Sequence, residues 1–130
     1  YFKHWLSIGT KTEADKLPQI FFVNWFRRDE DGRFMWPGYG ENSRVLKWVF
    51  ERTDGQVGAD KTAIGFLPAP GTLDIDGLNV SEADMQVLLS VDNDGWREAV
   101  PQIREHFAAF GDRLPQQLAA SLDSLEAALA

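Results

Sequence analysis

Three aromatic residues, Phe26, Phe34 and Tyr39, fall within the stretch "FFVNWFRRDEDGRFMWPGYGEN", residues 21 to 42. They occupy an expected strand end, a returning strand and a glycine loop, three places that a hairpin and loop can gather around one cavity. A flat heteroaromatic ring would stack there, each contact contributing about 1 to 3 kcal/mol by analogy with bases stacked on proteins. Gly38 and Gly40 flank Tyr39 and let the backbone approach closely. Asn42 offers both a donor and an acceptor to a base edge. Phe21, Phe22, Trp25 and Trp36 complete the cluster, and the two tryptophans are expected to pack inward. The residues alone leave two readings open, a plain aromatic core and a ligand pocket.

Other chemistry is sparse. His4 and His106 belong to different expected helices, and neither has a carboxylate at metal-ligand spacing, so both read as structural or surface histidines. "DEDG" at residues 29 to 32 is acidic but lacks the alternating oxygen ligands and final glutamate of a calcium loop. No GxxxxGK[ST] motif is present, so the phosphates of any bound nucleotide would be gripped from outside this chain.

The elements that must position the rings follow from local pattern. "YFKHWLSIG" reads as a helix end, with Gly9 in the left-handed C-terminal position. "QIFFVNWF" lacks period-2 alternation and reads as a strand buried on both sides. Asp31-Gly32 marks a hairpin turn, and a short strand from Arg33 to Trp36 stops at Pro37. Gly38 and Gly40 can supply positive φ, and Asn42 or Ser43 can cap a helix running to Gly55. A flexible "GQVGADKT" then leads to a short strand from Ile64 to Leu67. A capping box from Ser81 to Asp84 opens a helix, a second runs from about Asp94 towards Gly111 with a kink or restart at Pro101, and a final amphipathic helix lines up Leu118, Leu122, Leu125 and Leu129.

The 130 residues, 44% hydrophobic, suit one compact domain. The chain starts without methionine inside a periodic segment, so it is expected to be a piece of a longer protein. With no cysteine there is no disulfide framework or thiolate site. No apolar run approaches the length of a membrane span and no secretory signal is evident, so no membrane partner is expected. A net charge of −7 argues against nucleic acid as a partner. Arg27, Arg28, Arg33, Arg44, Lys47 and Arg52 gather around the aromatic stretch, as a solvated basic face or a local seat for a small anion.

The stretch "FFVNWFRRDEDGRFMWPGYGENSRVLKW" closely resembles the GTP-dependent phosphoenolpyruvate carboxykinases, whose characteristic run reads approximately NWFR, then DGxFxWPGFGENSRVLxW. Looser likeness extends through "YFKHWL" upstream and "IGFLP", "LDIDGLNV" and "WREAVPQI" downstream. The resemblance implies the C-terminal portion of an α/β, mixed α+β nucleotide-binding domain, spanning residues 1 to 130, with a guanine-binding unit at 20 to 55 and a helical tail at 81 to 130. It implies a cytoplasmic gluconeogenic lyase that converts oxaloacetate and GTP to phosphoenolpyruvate, CO2 and GDP. Its partners would be those substrates and the rest of the parent polypeptide. Mn2+ or Mg2+ would be held by residues outside this chain, which alone would be inactive.

In the family three phenylalanines hold the guanine; they match Phe26, Phe34 and Tyr39, the last a departure that adds a hydroxyl to the ring. The loop matching Tyr39, Gly40, Glu41 and Asn42 lines the base, and its asparagine contacts it. Guanine presents an acceptor at O6 where adenine presents an amino group. A helix beginning near Ser43 would turn its positive end towards that oxygen, and Asn42 would add a donor. Two other classes compete with this reading: a free-standing aromatic-lined binding module, and a structural domain without a ligand.

Overall fold

The computed structural model describes residues 1–130 and shows the expected mixed α+β class. Two compact units emerge, one formed by Tyr1–Pro18 with Val91–Ala130 and the other by Gln19–Ser90.

The first unit is helical: α1 at Phe2–Ile8, α4 at Asn93–Ala108 and α5 at Gln116–Leu129. Asp92 caps α4, its side chain accepting from the Gly95 N–H at 2.9 Å. Pro101 lies inside α4, which continues through it as one helix, so of the expected kink or restart the restart is absent. The leucine stripe of α5 is realised, with Leu122 and Leu129 buried, as is Val100 of α4. Arg97 ties the pair by donating Nε–H to the Leu129 carbonyl at 2.8 Å, and Arg104 reaches Asp123 and Glu126. Gly9, expected in the left-handed region, has φ −61° and simply continues the right-handed turn.

The second unit holds α2 at Asn42–Thr53, a two-stranded antiparallel ribbon of β1 at Ala59–Thr62 and β2 at Gly65–Pro68, and α3 at Glu82–Leu88. Ala59 pairs with Pro68 and Thr62 with Gly65, so part of the segment expected to be flexible is a strand. Its Thr62 hydroxyl donates to the Gly65 carbonyl and closes the turn. Ser81 and Asp84 form the expected reciprocal capping box of α3. The core is Met35, Trp36 and Trp48, with Phe21 edge-on to Trp48 at 6.2 Å and the Trp48 indole N–H donating to Thr72.

The expected strand over "QIFFVNWF" is corrected. Residues 19 to 26 pair with no neighbouring strand. Instead of burial on both sides, alternate residues differ: Phe21, Val23 and Trp25 are half-buried, while Ile20 and Phe22 are over 90% exposed. A strand needs a partner for its N–H and C=O groups, and none within this chain supplies them. The run ends where the Asn24 side chain accepts from the Phe26 N–H at 3.0 Å and turns the chain. The returning strand from Arg33 to Trp36 likewise shrinks to one antiparallel bridge, Arg28 with Phe34.

Candidate functional site

The hairpin that carries two of the candidate rings is set by Asp29 and Gly32. The Asp29 carboxylate accepts from the N–H groups of Asp31 and Arg33, and its carbonyl accepts from Gly32. Gly32 takes φ 80°, the left-handed residue this tight connection requires. Bonds from Asp29 N–H to the Arg33 carbonyl and from Met35 N–H to the Arg27 carbonyl then fix the register. This register places the Phe26 and Phe34 rings 6.3 Å apart at 62°. Both remain in solvent, Phe26 at 74% and Phe34 at 47% exposure. The Arg28 guanidinium sits 4.0 Å over the Phe34 ring and donates to the Gly32 carbonyl, so one face of Phe34 is covered and held.

Beyond Pro37, Gly38 has φ 109° and redirects the chain into a 3-10 turn at Tyr39–Glu41 that runs directly into α2. Gly40 does not take the expected positive φ; a side chain there would meet open space. Tyr39 is 93% exposed and makes no ring contact with Phe26 or Phe34. Glu41 turns to Arg44, accepting from its Nε–H at 2.7 Å, and occupies the N-cap position of α2 without a side-chain cap bond.

Neither Asn42 nor Ser43 caps α2, a correction to expectation. Asn42 is already the first helical residue, and its side chain has a different partner. The buried Trp36 indole N–H donates to Asn42 Oδ1 at 3.1 Å. Sequence reasoning placed Trp36 inward but missed this bond. The available signal was the rule that a buried indole N–H finds an acceptor.

The basic cluster does not form one anion seat. Arg33 pairs with Asp84 at 2.7 Å and Asp29 at 2.9 Å, Arg44 with Glu41 and Asp74, and Lys47 with Asp74 and Glu51. Glu41, and then Asp74, hold Arg44 more firmly protonated than usual. Asp74 in turn lies below the usual carboxylate range through the Asp76 N–H and the Lys47 ammonium. Arg27 and Arg52 donate to the Leu88 and Val57 carbonyls. Two surface hollows of about 240 and 250 Å³ lie along the α4 and α5 pair, and neither lining contains a candidate residue. No helix is long and apolar enough to cross a membrane, and no group of three or more His, Cys, Asp or Glu side chains is arranged to hold a metal ion.

The structure thus joins Phe26 to Phe34 and Asn42 to Trp36, and presents Tyr39 as a separate exposed ring. Comparison with known proteins identifies the setting. The chain is 54% identical over 128 residues to a protein of Treponema pallidum (strain Nichols), 55% over 127 to one of Neocallimastix frontalis, and 47% over 130 to one of Arthrobacter sp. (strain FB24). All three are named phosphoenolpyruvate carboxykinase (GTP). These alignments cover 97 to 100% of this chain but 21% of each relative, so the chain spans about a fifth of their length. The family described as the phosphoenolpyruvate carboxykinase C-terminal P-loop domain matches residues 1–128, and the chain belongs to that family.

Proposed function

We propose that this chain is the guanine-recognition part of a GTP-dependent phosphoenolpyruvate carboxykinase. The whole enzyme decarboxylates oxaloacetate and phosphorylates the resulting enolate from GTP, a gluconeogenic reaction of the cytoplasm. Residues 20 to 55 supply the base pocket, and residues 81 to 130 form a helical tail. Phe26, Phe34 and Tyr39 are its aromatic walls, with Gly40, Glu41 and Asn42 lining the base edge. Mn2+ or Mg2+, held by ligands outside this chain, would neutralise charge on the transferring phosphoryl group.

The observation that carries this reading is the exposed Phe26 and Phe34 pair, held at 6.3 Å by a tight hairpin within a unit whose Met35, Trp36 and Trp48 are buried. Large rings left in solvent beside a formed core are available to stack on a base, whose face would gain about 1 to 3 kcal/mol per contact. Phe34→Ala in the full-length enzyme is the test. GTP affinity should fall by about one to two decades, and ATP affinity in parallel, because a ring face stacks on any purine. Thermal unfolding should shift little, since the ring is half in water. A strongly destabilised variant that still binds GTP normally would return Phe34 to the core and defeat the pocket.

A further inference from the structure

The bond between Trp36 and Asn42 carries a consequence for base selectivity, which rests on the guanine-pocket reading above. An indole N–H can only donate. The amide branch of Asn42 that meets it must therefore be the oxygen, as the 3.1 Å Nε1 to Oδ1 contact has it. The nitrogen branch, with its two hydrogens, takes the other side of the planar group. Trp36 is 7% exposed, so its indole is fixed by the core. Gly38, at φ 109°, lets the chain fold back and set the first residue of α2 against that indole.

We propose that Trp36 is a positioning residue for base choice: by engaging Oδ1, it commits Asn42 to present donors, and so to favour a 6-oxo purine over a 6-amino purine. An amide free to flip would offer its oxygen to an amino group as readily as its nitrogen to a carbonyl. Pinning one branch removes the second option. A 6-amino base then sets donor against donor, and unpaired polar groups discriminate strongly. The selectivity is written into a core contact, while the stacking rings supply affinity without preference.

The test uses the full-length enzyme and equilibrium affinities for GTP, ITP and ATP. Trp36→Phe keeps an aromatic ring and deletes the donor. The preference for GTP and ITP over ATP should drop about threefold to tenfold, the range expected for one hydrogen bond. ATP affinity should stay the same or improve. Asn42→Asp keeps the acceptor for Trp36 and replaces the outward amide with a carboxylate oxygen, so the preference should fall by more than about tenfold. If Trp36→Phe fails to fold, replacing Trp36 by benzothienylalanine, which keeps the indole's shape with sulfur in place of the N–H, makes the same deletion and should give the same drop. GTP and ITP should move together, because both carry the 6-oxo group; a loss confined to GTP would mean that the 2-amino group is read and would overturn the proposal. Asn42→Ala separates the two levels. If it abolishes the preference while a folded Trp36 variant without the N–H donor retains the wild-type ratio, the positioning role fails and the pocket stands. If Asn42→Ala itself leaves the preference intact, Asn42 does not read the base and both readings fall.

Discussion

The α4 and α5 pair and the segment from Gln19 to Phe26 are both rich in large apolar residues, and they meet opposite fates. In the helical pair they are buried: Val100, Leu122 and Leu129 are all below a tenth exposed. In the segment, Phe22 is 96% exposed and Ile20 92%. The difference lies in where each element finds its hydrogen bonds. A helix closes its own backbone and needs cover on one stripe only, which another nearby helix provides. An extended segment needs a neighbouring strand for its backbone before its side chains can be layered from either side. Phe26 continues the alternation and is exposed like Ile20 and Phe22, but it has a partner, the Phe34 ring 6.3 Å away. Within this segment exposure is shared by Phe22 and Phe26, and the ring pair belongs to Phe26.

The largest effect that could break this contrast belongs to the helical pair. Leu122→Ala removes a buried side chain from the contact between α4 and α5, which should cost about 2 to 5 kcal/mol in denaturant unfolding of the full-length enzyme. Affinity for GTP, measured under native conditions, should not change. A comparable loss of GTP binding in folded protein would show that packing and base recognition are not separable along this chain.

A smaller effect sharpens the comparison within the second unit, at α3. Ser81→Ala removes the cap side chain and should cost about 1 kcal/mol. The same motif predicts an acid dependence. Hydrogen bonds from Arg33 first, and then from Ser81, hold the Asp84 carboxyl down at about 2, against an ordinary 3.8. A carboxyl depressed in the folded state stabilises fully above its unfolded value, and that contribution disappears as pH falls from about 4 through about 2. Asp84→Asn should flatten this part of the acid unfolding curve. An unchanged curve would mean that the Arg33 contact at 2.7 Å is not kept in solution.

Features that are closed by neighbours in sequence were legible before the structure. The capping box at Ser81, the turn at Asp31-Gly32 and the stripe from Leu118 to Leu129 each depend on residues a few positions apart. Features closed by a distant partner were not. The segment over residues 19 to 26 reads as a strand by composition, yet its pairing is a property of whatever lies beside it. β1, rich in polar residues, carries little apolar signal and is a strand only because β2 lies against it. Asn42 has the right chemistry for a cap, but the buried indole of Trp36 competes for the same oxygen and wins. In the candidate site, the family resemblance picks out Phe26, Phe34 and Asn42 by position, whereas the coupling of Asn42 to the core exists only in the folded chain.

The smallest effect belongs to the hydroxyl of Tyr39. Its ring is 93% exposed, so the hydroxyl that distinguishes it from the family's usual phenylalanine is already in water. Removing that hydroxyl strands no buried partner and opens no cavity. Tyr39→Phe should therefore bind GTP within a few fold of wild type and unfold within about 0.5 kcal/mol of it, as surface substitutions usually do. Tyr39→Ala is the necessary companion, because it deletes the π-face as well. If Tyr39 is a wall of the pocket, the alanine variant should lose about one to two decades of GTP affinity with equally little change in stability. That pairing, a silent hydroxyl and a costly ring, is what a solvent-exposed stacking surface demands and what a buried tyrosine would reverse. Should Tyr39→Phe alone cost more than about tenfold in GTP affinity, beyond what one neutral hydrogen bond to water could explain, the hydroxyl must meet the nucleotide directly, and Tyr39 would belong with Asn42 among the groups that read the base.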